Sequence, residues 1–242
     1  MNLITNGVTF NIGDDSYHTY DDFNLILENC VISPAEAKVY TIDVPGRNGK
    51  LDVTASITRS LVYQNRTITL TLKLKRNSNA SFLASYSLVQ NHINGKRGHI
   101  ILDDDKGHYY VGRINVDSFQ SSMRLGTIVI VCDVEPFKLS VCHAGEDWLW
   151  DPFSFYDGVI YPGTVWIEGS EVIVLPSEGL EVSPSFHVTG STGLVLQYGD
   201  KEYNLPNEQT TLIRDITLTT GETTVTLVGN GFVQIIYEGG AL

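Results

Sequence analysis

Residues 67–75, TITLTLKLK, alternate without interruption, with Ile68, Leu70, Leu72 and Leu74 on one side and Thr and Lys on the other. A period of two puts every apolar side chain on one face of an extended chain, so this stretch predicts a half-buried antiparallel strand. The pattern recurs upstream: Tyr40, Ile42 and Val44 alternate, and so do Leu51, Val53, Ala55 and Ile57. LGTIVIVCDV, residues 125–134, reads as a buried strand. One segment departs from this period. In NSNASFLASYSLVQNHING, residues 77–95, Phe82, Tyr86, Val89 and Ile93 recur at spacings of four, three and four, which predicts a helix with one apolar stripe. Ser78 or Asn79 can cap its start and Gly95 can close its end.

The turns between these runs are strongly marked. DVPGRNGKLDVT, residues 43–54, holds Pro45-Gly46, suited to a type II turn, and Asn48-Gly49, suited to a type I′ turn. A hairpin spanning roughly residues 38–58 is expected, with Pro45, Gly46, Arg47, Asn48 and Gly49 at its tip. HIIL, then DDDKG, then HYYVGRINV predicts a second hairpin, in which Asp103, Asp104, Asp105 and Gly107 form a polar turn and His99 can face His108. In the second half TVWIE-GS-EVIVL, residues 164–175, suggests a hairpin turning at Gly169-Ser170. SFHV, GLVLQY, KEYNL, TLIRDITLTT, TTVTLV and FVQIIY follow as short strands at sandwich spacing. No helical stripe follows residue 137.

Charge divides the chain unevenly. Residues 1–137 carry 13 Lys and Arg against 14 Asp and Glu, whereas residues 138–242 carry 3 against 14. Pro136 interrupts the strand pattern at the same place. Two domains are therefore expected, 1–137 and 138–242. An acidic second half repels nucleic acid and anionic membranes, so sequence-specific nucleic-acid binding is not expected. Membrane insertion is not expected either, because no apolar run approaches the roughly 20 residues that cross a bilayer. MNLITNGVTF lacks a basic segment and a long apolar stretch, so a secretory signal is not expected and folding in a cytoplasm is. Cys30, Cys132 and Cys142 are widely spaced and each adjoins a Val, which reads as reduced, partly buried thiols.

Catalytic and metal motifs fail on spacing. Gly46 and Gly49 are too close for a phosphate-binding loop, and Leu51 occupies its hydroxyl position. A calcium loop counted from Asp103 puts Gly107 at position 5 and Ile114 at position 12, where carboxylates belong. The six histidines show no metal spacing, and no nucleophile elbow occurs. Neither an enzyme, a metal nor a cofactor is expected. DWLWDPFSFYDGVIY, residues 147–161, offers Trp148 and Trp150 as a surface on which sugar rings could stack, and equally as core packing. The alternative function is therefore a carbohydrate-binding β-sandwich involved in adhesion to a host surface.

The segment YDDFNLILENCVISPAEAKVYTIDVPGRNGKLDVT resembles the distal tail protein (Dit) family of long-tailed, non-contractile bacteriophages. The residues that carry the resemblance are Tyr20, Asp21, Asp22 and Phe23, followed by Pro45, Gly46, Arg47, Asn48, Gly49, Leu51 and Asp52. It continues through YQNRTITLTLKL, NHINGKRGHIILDDDKGHYYVGR and GTIVIVCDVEPFK, covering about residues 17–138, and the closing GNGFVQIIYEGGAL is similar to the family's C-terminal strand. The resemblance implies a mainly β fold, in which a β-sandwich-like N-terminal domain with one helix and an extended hairpin precedes a galectin-like β-sandwich. It implies a virion structural protein at the phage tail tip, assembled in the host cytoplasm as a hexameric ring with a channel for DNA. Its implied partners are the tail-tube protein on one side and a tail-associated tip or fibre protein on the other. The hairpin tip Pro45–Gly49 is expected to serve assembly, with Arg47 available to a neighbour's carboxylate.

Overall fold

Alternating apolar residues fold here as antiparallel strands that bury one face, and the chain is mainly β. The computed structural model describes residues 7–58, 61–74, 82–121, 126–141 and 162–242. Contacts divide the chain into two compact units: Met1–Asp104 with Tyr110–Pro136, and Asp105–Tyr109 with Phe137–Leu242.

The first unit contains β1 (Val8–Ile12), β2 (Asp15–His18), β3 (Leu25–Ile32), β4 (Thr41–Ile42), β5 (Leu51–Asp52), α1 (Thr54–Thr58), β6 (Arg66–Leu74), α2 (Phe82–His92), β7 (Arg97–Leu102), most of β8 (Asp105–Ser121) and β9 (Gly126–Val134). Its main sheet runs β2-β1-β7-β8-β9-β6-β3. Ile68, Leu70 and Leu72 of the perfectly alternating stretch are fully buried, and β9 matches them from the neighbouring strand with Ile128, Ile130 and Cys132. Helix α2 closes the core with Val89, and Ile93 adds to it just beyond the last helical residue, while Phe82 and Tyr86 pack at the margin. The helix start expected at Ser78 or Asn79 lies outside the described residues. Gly95 ends the helical run at φ 73°, a conformation that favours glycine.

Between β7 and β8 the chain turns at Asp103 and Asp104 alone. Asp105 is not a turn residue but opens β8. His99 is exposed, whereas His108 is buried.

The second unit contains the start of β8, β10 (Lys138–Ser140), β11 (Thr164–Ser177), β12 (Ser185–Thr189), β13 (Leu194–Tyr198), β14 (Lys201–Leu205), β15 (Gln209–Leu212), β16 (Gly221–Ile236) and β17 (Gly240–Ala241). β10 pairs with β17 and with Tyr109 and His108 of β8.

Two expected hairpin features are corrected here. Gly169 and Ser170 do not reverse the chain. β11 is one strand of 14 residues lying antiparallel to the 16 residues of β16, with Gly169 opposite Gly229. The same pairing joins TTVTLV and FVQIIY, read as separate strands, into β16. Glycine supplies the reason. Gly169, Gly229 and Gly231 have φ of 82°, 135° and 152°, so both strands coil sharply there without breaking their register.

The coil also lets β16 change partners. Before it, residues 226–229 pair with β13; after it, residues 232–236 pair with β12. The order β14-β13-β16-β12-β15 thereby wraps around one core built from Ile167, Leu175, Phe186, Leu196, Leu227, Val233 and Ile235. Among the described residues, helices occur only before residue 137.

Candidate assembly surface

β3 is an edge strand, and its pairing with β6 ends at Ile32 opposite Ile68. One further residue continues the pairing: Ser33 N–H donates to Thr67 O at 2.9 Å, and Thr67 N–H donates to Ser33 Oγ at 2.8 Å. Beyond this point residues 34–58 and 61–65 leave the sheet and bond to one another as an arm. Lys38 N–H donates to Val62 O and Gln64 N–H to Glu36 O, each at 2.8 Å, beside a bridge between Ala37 and Tyr63. Val53 N–H donates to Tyr40 O at 2.9 Å, and Thr41 and Ile42 pair with Asp52 and Leu51.

The tip follows the sequence in one turn and departs from it in the next. Arg47 N–H donates to Val44 O at 3.1 Å and Gly46 has φ 84°, the geometry of a type II turn with Pro45 leading. Gly49 also has a positive φ, 75°, but Asn48 does not. A type I′ turn needs both, so Asn48-Gly49 forms a different turn. Pro45, Gly46, Arg47, Asn48 and Gly49 are all exposed.

The strand expected through Ala55 and Ile57 is also corrected. The β pairing stops at Asp52, and Thr54–Thr58 makes one turn of helix. Asp52 Oδ1 accepts from Thr54 N–H at 2.8 Å, folding the backbone locally in place of further strand pairing. Hydrogen bonds from the Thr54 side chain, and then from its backbone, hold the Asp52 carboxyl below the usual carboxylate range. Thr54 Oγ1 in turn accepts from Tyr40 N–H at 2.8 Å, which ties the helix turn to the other side of the arm.

What distinguishes this arm is where its apolar side chains go. Among the described residues, no buried hydrophobic residue of either core lies between Leu27 and Ile68. Val39, Ile57 and Leu61 are each at least 60 % exposed, and Tyr40 and Ile42 are also exposed. Val39 and Leu61 also line a groove of about 520 Å³, together with Lys38, Asp52 and Ala55. A group of large apolar side chains left in water costs solvation free energy and sets this surface apart from the two cores. Alternation read as a half-buried strand could not reveal this, because it gives the period of a strand without saying whether its apolar face meets the chain's own core.

Trp148 and Trp150, the residues expected to offer stacking faces, lie outside the described residues. No described helix is long and apolar enough to cross a membrane.

The described residues thus define a mainly β protein of two antiparallel units, the first bearing a core-free apolar arm. The same fold occurs in the crystal structure of SPP1 Dit (gp 19.1), described as a paradigm of the hub adsorption apparatus in phages infecting Gram-positive bacteria. The likeness has a TM-score of 0.61 at 10% identity and covers 97% of this chain and 99% of that one. No protein-family model matches the chain. No curated protein matches it either.

Proposed function

We propose that this chain is a structural hub component of a long-tailed phage, a distal tail protein that joins the tail tube to the tail tip. The observation that carries this reading is the likeness to SPP1 Dit over nearly the full length of both chains, both units included. An unrelated protein sharing a single β-sandwich would match one unit only. In this reading the chain forms a closed hexameric ring with an open centre for DNA, and it contributes binding surfaces rather than catalysis. Residues 34–65 supply the contact between neighbouring copies. Their exposed apolar side chains gain burial only when a second copy covers them, and a ring requires each subunit to offer one surface to a different surface of the next. Arg47 at the tip meets a carboxylate of that neighbour. The second unit, in the acidic half of the chain, faces solvent at the periphery.

Electron images of the purified protein test the proposal. Annular particles with six-fold averages support it. Particles without rotational symmetry, or monomers both in isolation and mixed with the tail-tube protein, contradict it.

A further inference from the structure

The buried face of β6 begins with a charge. Arg66 opens the strand on the same face as Ile68, Leu70 and Leu72, and only 7 % of it is exposed. Strand register sets Arg66 in a row with Val134 of β9 and Gly112 of β8, beside the row of Ile68, Cys132 and Ile114. Arg66 is therefore the one charged residue of the two rows, and the four large neighbours among them are fully buried. Its guanidinium lies over Tyr110, with Cζ 5.0 Å from the ring centroid, a contact that uses one flat face of the group.

The edge of the guanidinium is a different matter. Arg66 Nε and Nη2 are both buried, and neither has a hydrogen-bond partner among the described residues. These two nitrogens flank one side of the planar group, from which two N–H bonds project in parallel. The acids on either side of Val134 serve elsewhere. Asp133 is exposed on the opposite face of β9, and Glu135 pairs with Arg97. A buried cation whose donors go unmet is costly, whereas the same cation matched by an anion with good geometry is not.

From this geometry we infer that the Nε–Nη2 edge of Arg66 binds a small organic monocarboxylate. The two oxygens of a carboxylate accept two parallel N–H bonds from one guanidinium edge, and the match is specific to that fork. Charge selects the ligand further. One cation stands among apolar neighbours, so a monoanion neutralises it, while phosphate or sulfate would bring a second buried negative charge. A short alkyl stem suits the surroundings, since Ile68, Val134 and the Tyr110 ring offer apolar contact. Enclosure favours a free acid over a side chain fixed to another polypeptide, because both donor nitrogens are buried and a small ion needs the least opening to reach them. Arg66 and Tyr110 both belong to the first unit, and the inference does not depend on the hub reading.

The test follows thermal unfolding of the full-length protein in sodium acetate, propionate, phosphate and chloride at matched ionic strength. Acetate or propionate should raise the midpoint saturably, by about 3 °C or more over chloride at ten times the half-saturating concentration. Arg66→Met should abolish that rise while melting, without added carboxylate, no lower than the parent, because it removes the buried charge and keeps an unbranched apolar stem. Arg66→Lys keeps the charge but loses the fork, and should move half-saturation up about tenfold or more. This second variant keeps the test decisive if Arg66→Met fails to fold. Equal midpoints in carboxylate and chloride would overturn the inference, and so would a rise that survives in Arg66→Lys unchanged. A larger saturable rise in phosphate than in either carboxylate would overturn the assignment to a monocarboxylate. A further contrary result is no carboxylate effect together with altered sedimentation of Arg66→Met, which gives the edge to another chain.

Discussion

His108 Nδ1 lies 2.7 Å from an oxygen of Asp105, three residues earlier on the same strand, and its Nε2 faces Glu178 at 3.5 Å. Lys138 Nζ donates to the other Asp105 oxygen at 2.7 Å. His108 is only 5 % exposed, so this is a buried imidazolium held between two carboxylates within the second unit. Burial alone would lower its pKa, but the bonds to Asp105 and Glu178 outweigh that and hold it up at about 9. Burial likewise pushes Asp105 up, and the bonds to His108 and Lys138 outweigh it, holding the carboxyl at about 2.

The two displacements define a pH window. Stability from His108 is fully present below its ordinary pKa of 6.5 and is lost as pH rises through about 9. Stability from Asp105 is fully present above its ordinary 3.8 and is lost as pH falls through about 2. Both displacements describe largely one interaction and do not add. Thermal unfolding followed by circular dichroism should therefore show a plateau between about 4 and 6.5 with a decline on each side. His108→Gln should remove most of the alkaline decline and cost roughly 3 kcal/mol on the plateau, because it leaves Glu178 buried without its cation. An unchanged alkaline limb in that variant would contradict the assignment.

At Gly229 the second unit depends on a glycine. The residue sits at φ 135°, and a Cβ there would lie 2.3 Å from Gly193 O and 3.0 Å from Leu194 Cα. Neither neighbour is a flexible side chain, so the backbone must move. Gly229→Ala should lower stability by roughly 2–4 kcal/mol, read as a shift of the urea midpoint for the second unit. An unshifted midpoint would show that the paired coil with Gly169 is not required.

Cys132 is fully buried on β9, and burial first, with Cys30 nearby, pushes its thiol up to about 12. Cys30, half-buried on β3, is also raised, chiefly by burial. In a Cys142→Ser background, both thiols should stay unmodified by a thiol reagent at neutral pH and react only after unfolding, because the thiolate is the reactive form. Rapid stoichiometric labelling of the native protein would contradict this packing.

Gly49 separates fold from assembly. Its φ of 75° favours glycine, yet a Cβ there meets nothing within 4 Å. Gly49→Val therefore strains the tip backbone by about 1–3 kcal/mol without a steric clash. The thermal transition of the cores should hold while the yield of ring-shaped particles in electron images drops. Full ring yield would remove the tip from the contact.

The core of the first unit was legible because it depends on periodicity. Ile68, Leu70 and Leu72, and the Val89 and Ile93 stripe, were readable as faces and are buried as such. Pro45-Gly46 was readable because a type II turn demands φ > 0 at a single position. Legibility failed where glycine's two uses diverge. Gly169-Ser170 has the composition of a hairpin turn, but only the opposing Gly229, 60 residues away, decides that the strand coils and continues. Asn48-Gly49 failed similarly, since local preference permits a type I′ turn and the rest of the arm selects another. Thr54 was read by its place in an alternation, while its hydrogen bond to Asp52 starts a helical turn. The sequence pointed to the tip Pro45–Gly49 as an assembly element but not to the exposed Val39, Ile57 and Leu61 beside it, because exposure depends on which strands end up behind a segment.

If residues 34–65 join copies of this chain, sedimentation velocity should distinguish the Ile42→Asp, Ile57→Asp double variant from the parent protein. Both side chains are exposed, at 52 % and 60 %, so the variant chain should still fold and keep the parent's circular dichroism spectrum. The parent should sediment as a hexamer and the variant as a single chain at the same concentration. A variant that sediments as the same oligomer as the parent would contradict it.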